Sequence, residues 1–189
     1  PMIGKVVLAG ESASGKTSLY NQIVYKSWSE EQKASTQSAY SKVDVSHNGK
    51  SVSINLWDTA GQERYRSISI LYFRNSKLIL LCFDLSSSSS FEKIQYWYEM
   101  AEQKRQEGTQ LLYFLIGCKC DIQKEVELDK ILAFCENKDM KYFETSAKTG
   151  QGVDELINAI VDNIDVQTVN QKKIDLTQVG QVQKSKNCC

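Results

Sequence analysis

Apolar positions along this chain fall into two recurring patterns. Some form short continuous runs of strand length, and others form stripes at helical spacing. Ile3 to Ala9 is the first run, and Ser18 to Lys26 reads as a helix. A polar stretch without period, Ser27 to Ala39, reads as a surface loop. Tyr40 to Ser46 then alternates, with Val43 and Val45 on one face. Asn48-Gly49 is a strong hairpin signal, and Val52, Ile54 and Leu56 continue as the partner strand. Asp58 to Arg66 is a polar loop containing a glycine. Lys77 to Asp84 and Leu111 to Gly117 read as buried strands, and Tyr142-Phe143 as a short one. Helices are predicted over Phe91 to Gln106, Val126 to Asn137 and Val153 to Ile164. Ser86 to Ser90 supplies a cap for the first of these, and Gly108 ends it. The last carries Val153, Leu156, Ile157, Ile160 and Ile164 on one stripe.

Strands alternating with helices predict an α/β fold, a doubly wound, mostly parallel six-stranded sheet with helices on both faces. Ligands of such sheets bind outside the carboxyl ends of the strands. Gly10 to Thr17, Asp58 to Glu63, Cys118 to Asp121 and Ser146 to Lys148 each follow a predicted strand. These loops should therefore share one edge. From about Asp165 the pattern lapses into Gln, Val, Lys and Asn. The expected organisation is one domain over residues 1–165 and a flexible tail over 166–189.

Gly10-Glu11-Ser12-Ala13-Ser14-Gly15-Lys16-Thr17 has the spacing G-x-x-x-x-G-K-[ST] between a strand and a helix. That context turns the pattern into a phosphate-binding P-loop. Its glycines free the backbone to curl, so that the amides of Ser12, Ala13, Ser14, Gly15, Lys16, Thr17 and Ser18 can surround phosphate oxygens. The helix N-terminus beyond adds partial positive charge. Lys16 would reach the β- and γ-phosphates, and the Thr17 hydroxyl would bind Mg²⁺.

Trp57-Asp58-Thr59-Ala60-Gly61-Gln62-Glu63 follows the second hairpin strand. Asp58 can hold a water of Mg²⁺. Gly61 lets a backbone N–H approach the γ-phosphate. Gln62 both donates and accepts, so it can orient a water for in-line attack.

These motifs resemble the Ras superfamily of small GTPases, and within it the Rab family, over the whole chain. Arg64-Tyr65-Arg66-Ser67-Ile68, Tyr72-Phe73-Arg74 and Leu81-Cys82-Phe83-Asp84 are Rab-like. Gly10-Glu11-Ser12-Ala13 is similar to the loop of endosomal Rabs. The resemblance implies that Trp28, twelve residues beyond Lys16, packs against guanine. It implies that Thr36 closes onto Mg²⁺ and the γ-phosphate. Ser146-Ala147-Lys148 matches the last guanine loop, where the Ala147 N–H would meet the guanine carbonyl oxygen. The implied catalytic residues are Gln62, which places the water, and Lys16, which stabilises charge on the phosphoryl group. The implied activity is slow GTP hydrolysis by a switch that binds GTP or GDP with Mg²⁺ and works in vesicle trafficking. Its implied partners are an exchange factor, a GTPase-activating protein, effectors and a prenyl-binding escort. The implied form is a monomer on the cytoplasmic face of endomembranes, cycling with the cytosol.

The chain departs from the family at two places. The guanine loop, N-K-x-D in the family, reads Cys118-Lys119-Cys120-Asp121. Asp121 would accept from the N1–H and exocyclic amine of guanine, and adenine would leave that carboxylate unpaired. The Lys119 stem would lie over the base. Cysteine, a weak donor and acceptor, replaces the asparagine that braces the P-loop. The expectation is a specific but leaky site. Gln37-Ser38-Ala39-Tyr40-Ser41 is the second departure, an atypical partner-binding loop. Both departures keep open a scaffold that binds nucleotide and hydrolyses it poorly. A P-loop kinase or ATPase fits less well, given Asp121 and Ser146 to Lys148.

Composition narrows the surroundings. Lys+Arg and Asp+Glu are both 23, so no net charge points to nucleic acid. Cys82, Cys118, Cys120 and Cys135 lack zinc-finger spacing, and His47 is the single histidine. They read as reduced cytosolic thiols. The chain ends in Cys188-Cys189, preceded by Lys184 and Lys186. A terminal cysteine pair resembles the Rab signal for geranylgeranylation of both thiols, and two lipid chains give stable anchoring.

Overall fold

A computed structural model describes residues 2–30, 38–59, 71–105 and 110–164. Among them, β1 (Met2–Ala9), β2 (Ala39–His47), β3 (Lys50–Asp58), β4 (Ser76–Asp84), β5 (Leu112–Cys118) and β6 (Lys141–Thr145) form a six-stranded sheet. Its order is β2-β3-β1-β4-β5-β6. Every neighbouring pair is parallel except β2 with β3, the hairpin closed by Asn48-Gly49. The α/β architecture with a mostly parallel sheet is as the sequence predicts.

Alternation along the central strands distributes side chains to two cores. Val6, Leu8, Leu78, Leu80, Cys82, Ile116 and Cys118 face α1 (Lys16–Tyr25) and α5 (153–164). Val7, Ala9, Ile79, Leu81, Phe83 and Leu115 face α3 (Ile94–Glu102) and α4 (Leu128–Lys138). The predicted α5 stripe is buried, with Leu156 at 0% and Ile160 at 1% exposure. Each such side chain contributes about 1.5–3 kcal/mol on full burial, so docking of the stripe holds this helix in place. His47 ties the hairpin to α5, with Nε2 2.7 Å from Asp162 Oδ1 and Nδ1 3.2 Å from Asn158 Oδ1.

Helix limits differ from the expectation in three places: α1 starts at Lys16, two residues before Ser18, and the other two have visible causes. The helix predicted over Phe91 to Gln106 is instead α2 (Ser88–Glu92) and α3, separated at Lys93. The serine run is the reason for the earlier start. The Ser87 side chain accepts from the Ser90 N–H, and Ser90 Oγ bonds back to the Ser87 carbonyl (2.9 Å) and the Asp84 carbonyl (3.2 Å). The first turn therefore forms inside the run, pinned to the end of β4. Gly108, expected to end the helix, lies outside the described residues. Likewise α4 begins at Leu128 and not Val126, because the amides of Glu125 and Val126 both donate to the Leu85 carbonyl (2.8 and 3.3 Å).

Candidate active site

The reversal of strand order falls at β1, which pairs with β3 on one side and β4 on the other. The loop leaving β1 therefore opens at the crevice where doubly wound sheets bind ligands. Two glycines are required there. Gly10 has φ +145°, and a Cβ on it would lie 2.1 Å from the Cys82 carbonyl oxygen. Gly15, at φ +98°, caps α1, and a Cβ there would lie 2.8 Å from Cys118 Cβ. Ala13 is also left-handed, at φ 61°. No side chain caps the α1 N-terminus, and its first turn carries no acidic residue. Its leading amides and partial positive charge thus face the crevice, ready for an anion.

Lys16 is 4% exposed, and its ammonium donates to the Glu11 carbonyl at 2.7 Å and reaches Ser14 Oγ at 3.5 Å. Ser14 is fully buried. Asp58 closes β3 opposite Leu8 of β1, at 1% exposure. Thr59 Oγ1 then donates to the Leu8 carbonyl at 2.7 Å, fixing where the chain leaves the strand. The Thr17 hydroxyl, in the first turn of α1, and the Asp58 carboxylate, at the end of β3, are hard oxygen donors, the donor chemistry that suits Mg²⁺.

On the other side, β5 ends at Cys118, opposite Asp84 of β4. Cys118 is 3% exposed and touches the P-loop at Gly15, the position of the expected brace. Its Sγ lies 4.0 Å from the Ile116 carbonyl, the outer limit of a sulfur hydrogen bond. Burial pushes the neighbouring Cys82 thiol well above its ordinary pKa, and contact with Cys118 adds to this. Lys119 has left-handed backbone (φ 62°), and its ammonium binds the Asp84 carboxylate. Asp121 is exposed.

The Cys120 amide donates to the Thr145 carbonyl at 3.1 Å, holding this loop beside the one after β6. There Ser146, fully buried, accepts at its Oγ from the Thr149 N–H (3.1 Å), while Ala147 is partly exposed. Lys148 Nζ stands 5.2 Å from the ring centroid of Trp28. The structure thus brings Trp28 to the last loop and joins both loops to the P-loop edge. Thr36, Gly61, Gln62, Cys188 and Cys189 lie outside the described residues.

Sequence reasoning passed over one feature of this edge. Tyr40 and Trp57 face each other across the hairpin with ring centroids 4.8 Å apart, and Tyr72 lies 5.9 Å beyond. Lys5 Nζ sits 4.9 Å over the Trp57 ring, and Ser38 Oγ is 2.7 Å from the Tyr72 hydroxyl. Tyr40 is half exposed, which makes this aromatic row available to a partner.

Comparison with known proteins gives the family. Residues 5–166 match the Ras family model. The chain is a Rab-type GTPase of the Ras superfamily. It is 30% identical over 197 aligned residues to the Ras-related protein Rab7 of Cenchrus ciliaris, covering 98% of this chain and 96% of that one. It is 34% identical to the Ypt/Rab-type GTPase ypt7 of Schizosaccharomyces pombe, over 82% of this chain and 79% of the other. It is equally 34% identical to the Ras-related protein Rab-17 of Mus musculus, over 87% and 77%. As a member of this family the Rab-type chain binds GTP and GDP and hydrolyses GTP to GDP.

Proposed function

We propose that this GTPase is a membrane-anchored trafficking switch with slow intrinsic turnover. The observation that carries the reading is the convergence at the end of β1. A Gly10–Gly15 loop, an uncapped helix N-terminus, the buried Lys16 and the buried Asp58 meet there within one crevice. The loop amides and Lys16 would bind the β- and γ-phosphates and offset charge developing on the transferred group. Thr17, Asp58 and Thr36 would hold Mg²⁺, which neutralises phosphate charge when bound. Gln62 would orient the attacking water. No arginine of the chain has a place on the P-loop edge among the described residues, so an activating partner would add about 10³–10⁵-fold.

Base recognition falls to Asp121 on the guanine edge, Ala147 N–H on its carbonyl, the Lys119 stem over one face and Trp28 beside the ring. Cys118 would make the site leaky. The γ-phosphate would hold Thr36 and Gly61, and its loss would release both loops. The aromatic row Tyr40–Trp57–Tyr72 lies next to those loops in sequence, and would suit an effector that senses their order. Residues 166–189 would act as a tether, with Cys188 and Cys189 lipidated, keeping a monomer on endomembranes through two prenyl chains.

A titration series with GDP, GTP and ATP tests the site. Tight GDP and GTP binding with ATP weaker by ~10⁴-fold or more is expected. Comparable ATP affinity would refute guanine recognition by Asp121. Single-turnover GTP hydrolysis in Gln62→Leu tests the catalytic assignment, with a loss of about 10²-fold expected. An unchanged rate would remove Gln62 from the mechanism.

A further inference from the structure

Asp84 ends β4 at 8% exposure, directly opposite Cys118 on β5 and one residue from the register of Lys119. Its two carboxylate oxygens have separate tasks. Oδ1 accepts from the Ser86 amide (2.8 Å) and the Ser86 hydroxyl (2.7 Å), while Oδ2 accepts from Lys119 Nζ. The Asp84 main chain is held as firmly. Its N–H donates to Ser90 Oγ at 2.9 Å, and its carbonyl accepts from the Ser87 N–H at 3.0 Å and from Ser90 Oγ at 3.2 Å. Burial alone would push the carboxyl pKa up, but the hydrogen bonds from Lys119 and Ser86 outweigh it and hold it below the usual range. Asp84 is therefore ionised at neutral pH and has no freedom to follow Lys119. The side chain it restrains is the mobile partner, with 39% of Lys119 exposed and a flexible four-carbon stem.

We propose that Asp84 is a positioning residue of the nucleotide site, fixing the Lys119 ammonium so that its stem is ordered before the base arrives. This rests on the guanine-site reading given above. A lysine stem loses its rotamer freedom whenever it is laid against a ring. Anchoring at Asp84 removes that freedom in advance, and preorganisation of this kind appears as slower ligand release. The serine run thereby serves the base as well as the helix, because Ser86 holds the carboxylate, and Ser90 the main chain, of the residue that immobilises Lys119. Asp84 itself touches no nucleotide atom in this scheme. It acts through Lys119 on the face of the base, whereas Asp121 reads its edge.

The experiment measures release of GDP and of IDP, which lacks the exocyclic amine, from the full chain loaded with Mg²⁺. The variants are Asp84→Ala, Asp84→Asn, Lys119→Ala and Asp84→Ala with Lys119→Ala. Asp84→Asn keeps the shape and an acceptor for Ser86, so it covers the case in which alanine impairs folding. Asp84→Ala should speed release of both nucleotides by about tenfold, and Asp84→Asn by less. The GDP-to-IDP ratio should stay constant, and Asp84→Ala should add less than about twofold once Lys119 is alanine. Three results would overturn the proposal: parental rates in both Asp84 variants, full additivity with Lys119→Ala, or a collapsed GDP-to-IDP ratio, which marks damage to the Asp121 loop. A parent chain that releases ADP as slowly as GDP would instead refute the guanine reading, and this proposal with it.

Discussion

Cys118→Asn restores a full hydrogen-bonding group at the point where the guanine side meets the P-loop. Cys118 is buried and in contact with Gly15, since a Cβ on that glycine would lie 2.8 Å from Cys118 Cβ and 3.3 Å from its Sγ. The thiol's hydrogen bond within the sheet is 4.0 Å long, so it fills space and orients little. An asparagine amide adds one or two neutral hydrogen bonds, to the base and to the loop, each worth about 0.5–1.5 kcal/mol net. The sum, about 1–3 kcal/mol, corresponds to GDP release slower by about 5- to 150-fold. Packing acts in the opposite direction. Asn is larger than Cys, and the site is closed by Gly15 and Cys82, so overpacking could cost about 1–3 kcal/mol of stability. Stopped-flow release of fluorescent GDP against excess unlabelled GDP isolates the first effect, and urea unfolding of the GDP-bound chain records the second. Cys118→Ala is the control, and its release should lie within about twofold of the parent because the thiol contributes packing only. Equal release from Cys118→Asn and the parent, with an unchanged unfolding midpoint, would sink the argument that Cys118 makes the site leaky.

Gly15→Ala should abolish nucleotide binding and lower stability by about 1–3 kcal/mol, since φ +98° is strained for alanine and its methyl would overlap Cys118; nucleotide retained at parental stoichiometry through gel filtration would contradict this. Deleting Cys188 and Cys189 should move the protein wholly to the cytosol on cell fractionation, and unchanged membrane recovery would overturn lipid anchoring. Asp84 has a depressed carboxyl pKa in the fold, so its contribution to stability is complete above the ordinary value of about 3.9 and is lost as pH falls through the lower folded value. Urea midpoints between pH 5 and pH 3 should therefore fall less steeply in Asp84→Asn than in the parent, and parallel slopes would count against the ion pair. Tyr40→Ala should leave GTP hydrolysis within about twofold while weakening effector capture, because the exposed ring lies outside the phosphate crevice; a large hydrolysis defect would place the aromatic row in the active site instead.

Most of the crevice was legible because its chemistry is local in sequence. Gly10 to Thr17 specifies strand, turn and helix within a few residues, and its two glycines sit where backbone approaches Cys82 and Cys118. Contacts set by packing were less accessible. No periodicity places the start of α2 at Ser88, since that first turn forms when Ser87 and Ser90 fold back onto Asp84. Lys119 shows the same limit. Its spacing to Asp121 was visible, but its ammonium partner lies 35 residues earlier on a different strand.

The aromatic row is a different case, because its signal was present and unused. A two-residue turn at Asn48-Gly49 fixes the register of the whole hairpin, starting from His47 opposite Lys50. Counting outward from that pair places Tyr40 opposite Trp57 and Ala39 opposite Asp58. The same turn therefore aligns the Tyr40–Trp57 pair and the Asp58 carboxylate on successive rungs. The parallel pairing of β3 with β1 then sets Asp58 beside Leu8 and Trp57 beside Val7. A slip of one residue in the hairpin would exchange the two faces of β2 relative to Trp57 and dissolve the row without moving Asp58, which β1 holds independently. The hairpin turn thus sets the aromatic row, whereas the central parallel strands set the edge that carries the P-loop and Asp58. That division explains how the segment around Gln37 to Ser41 can depart from the Rab pattern while the phosphate crevice keeps it.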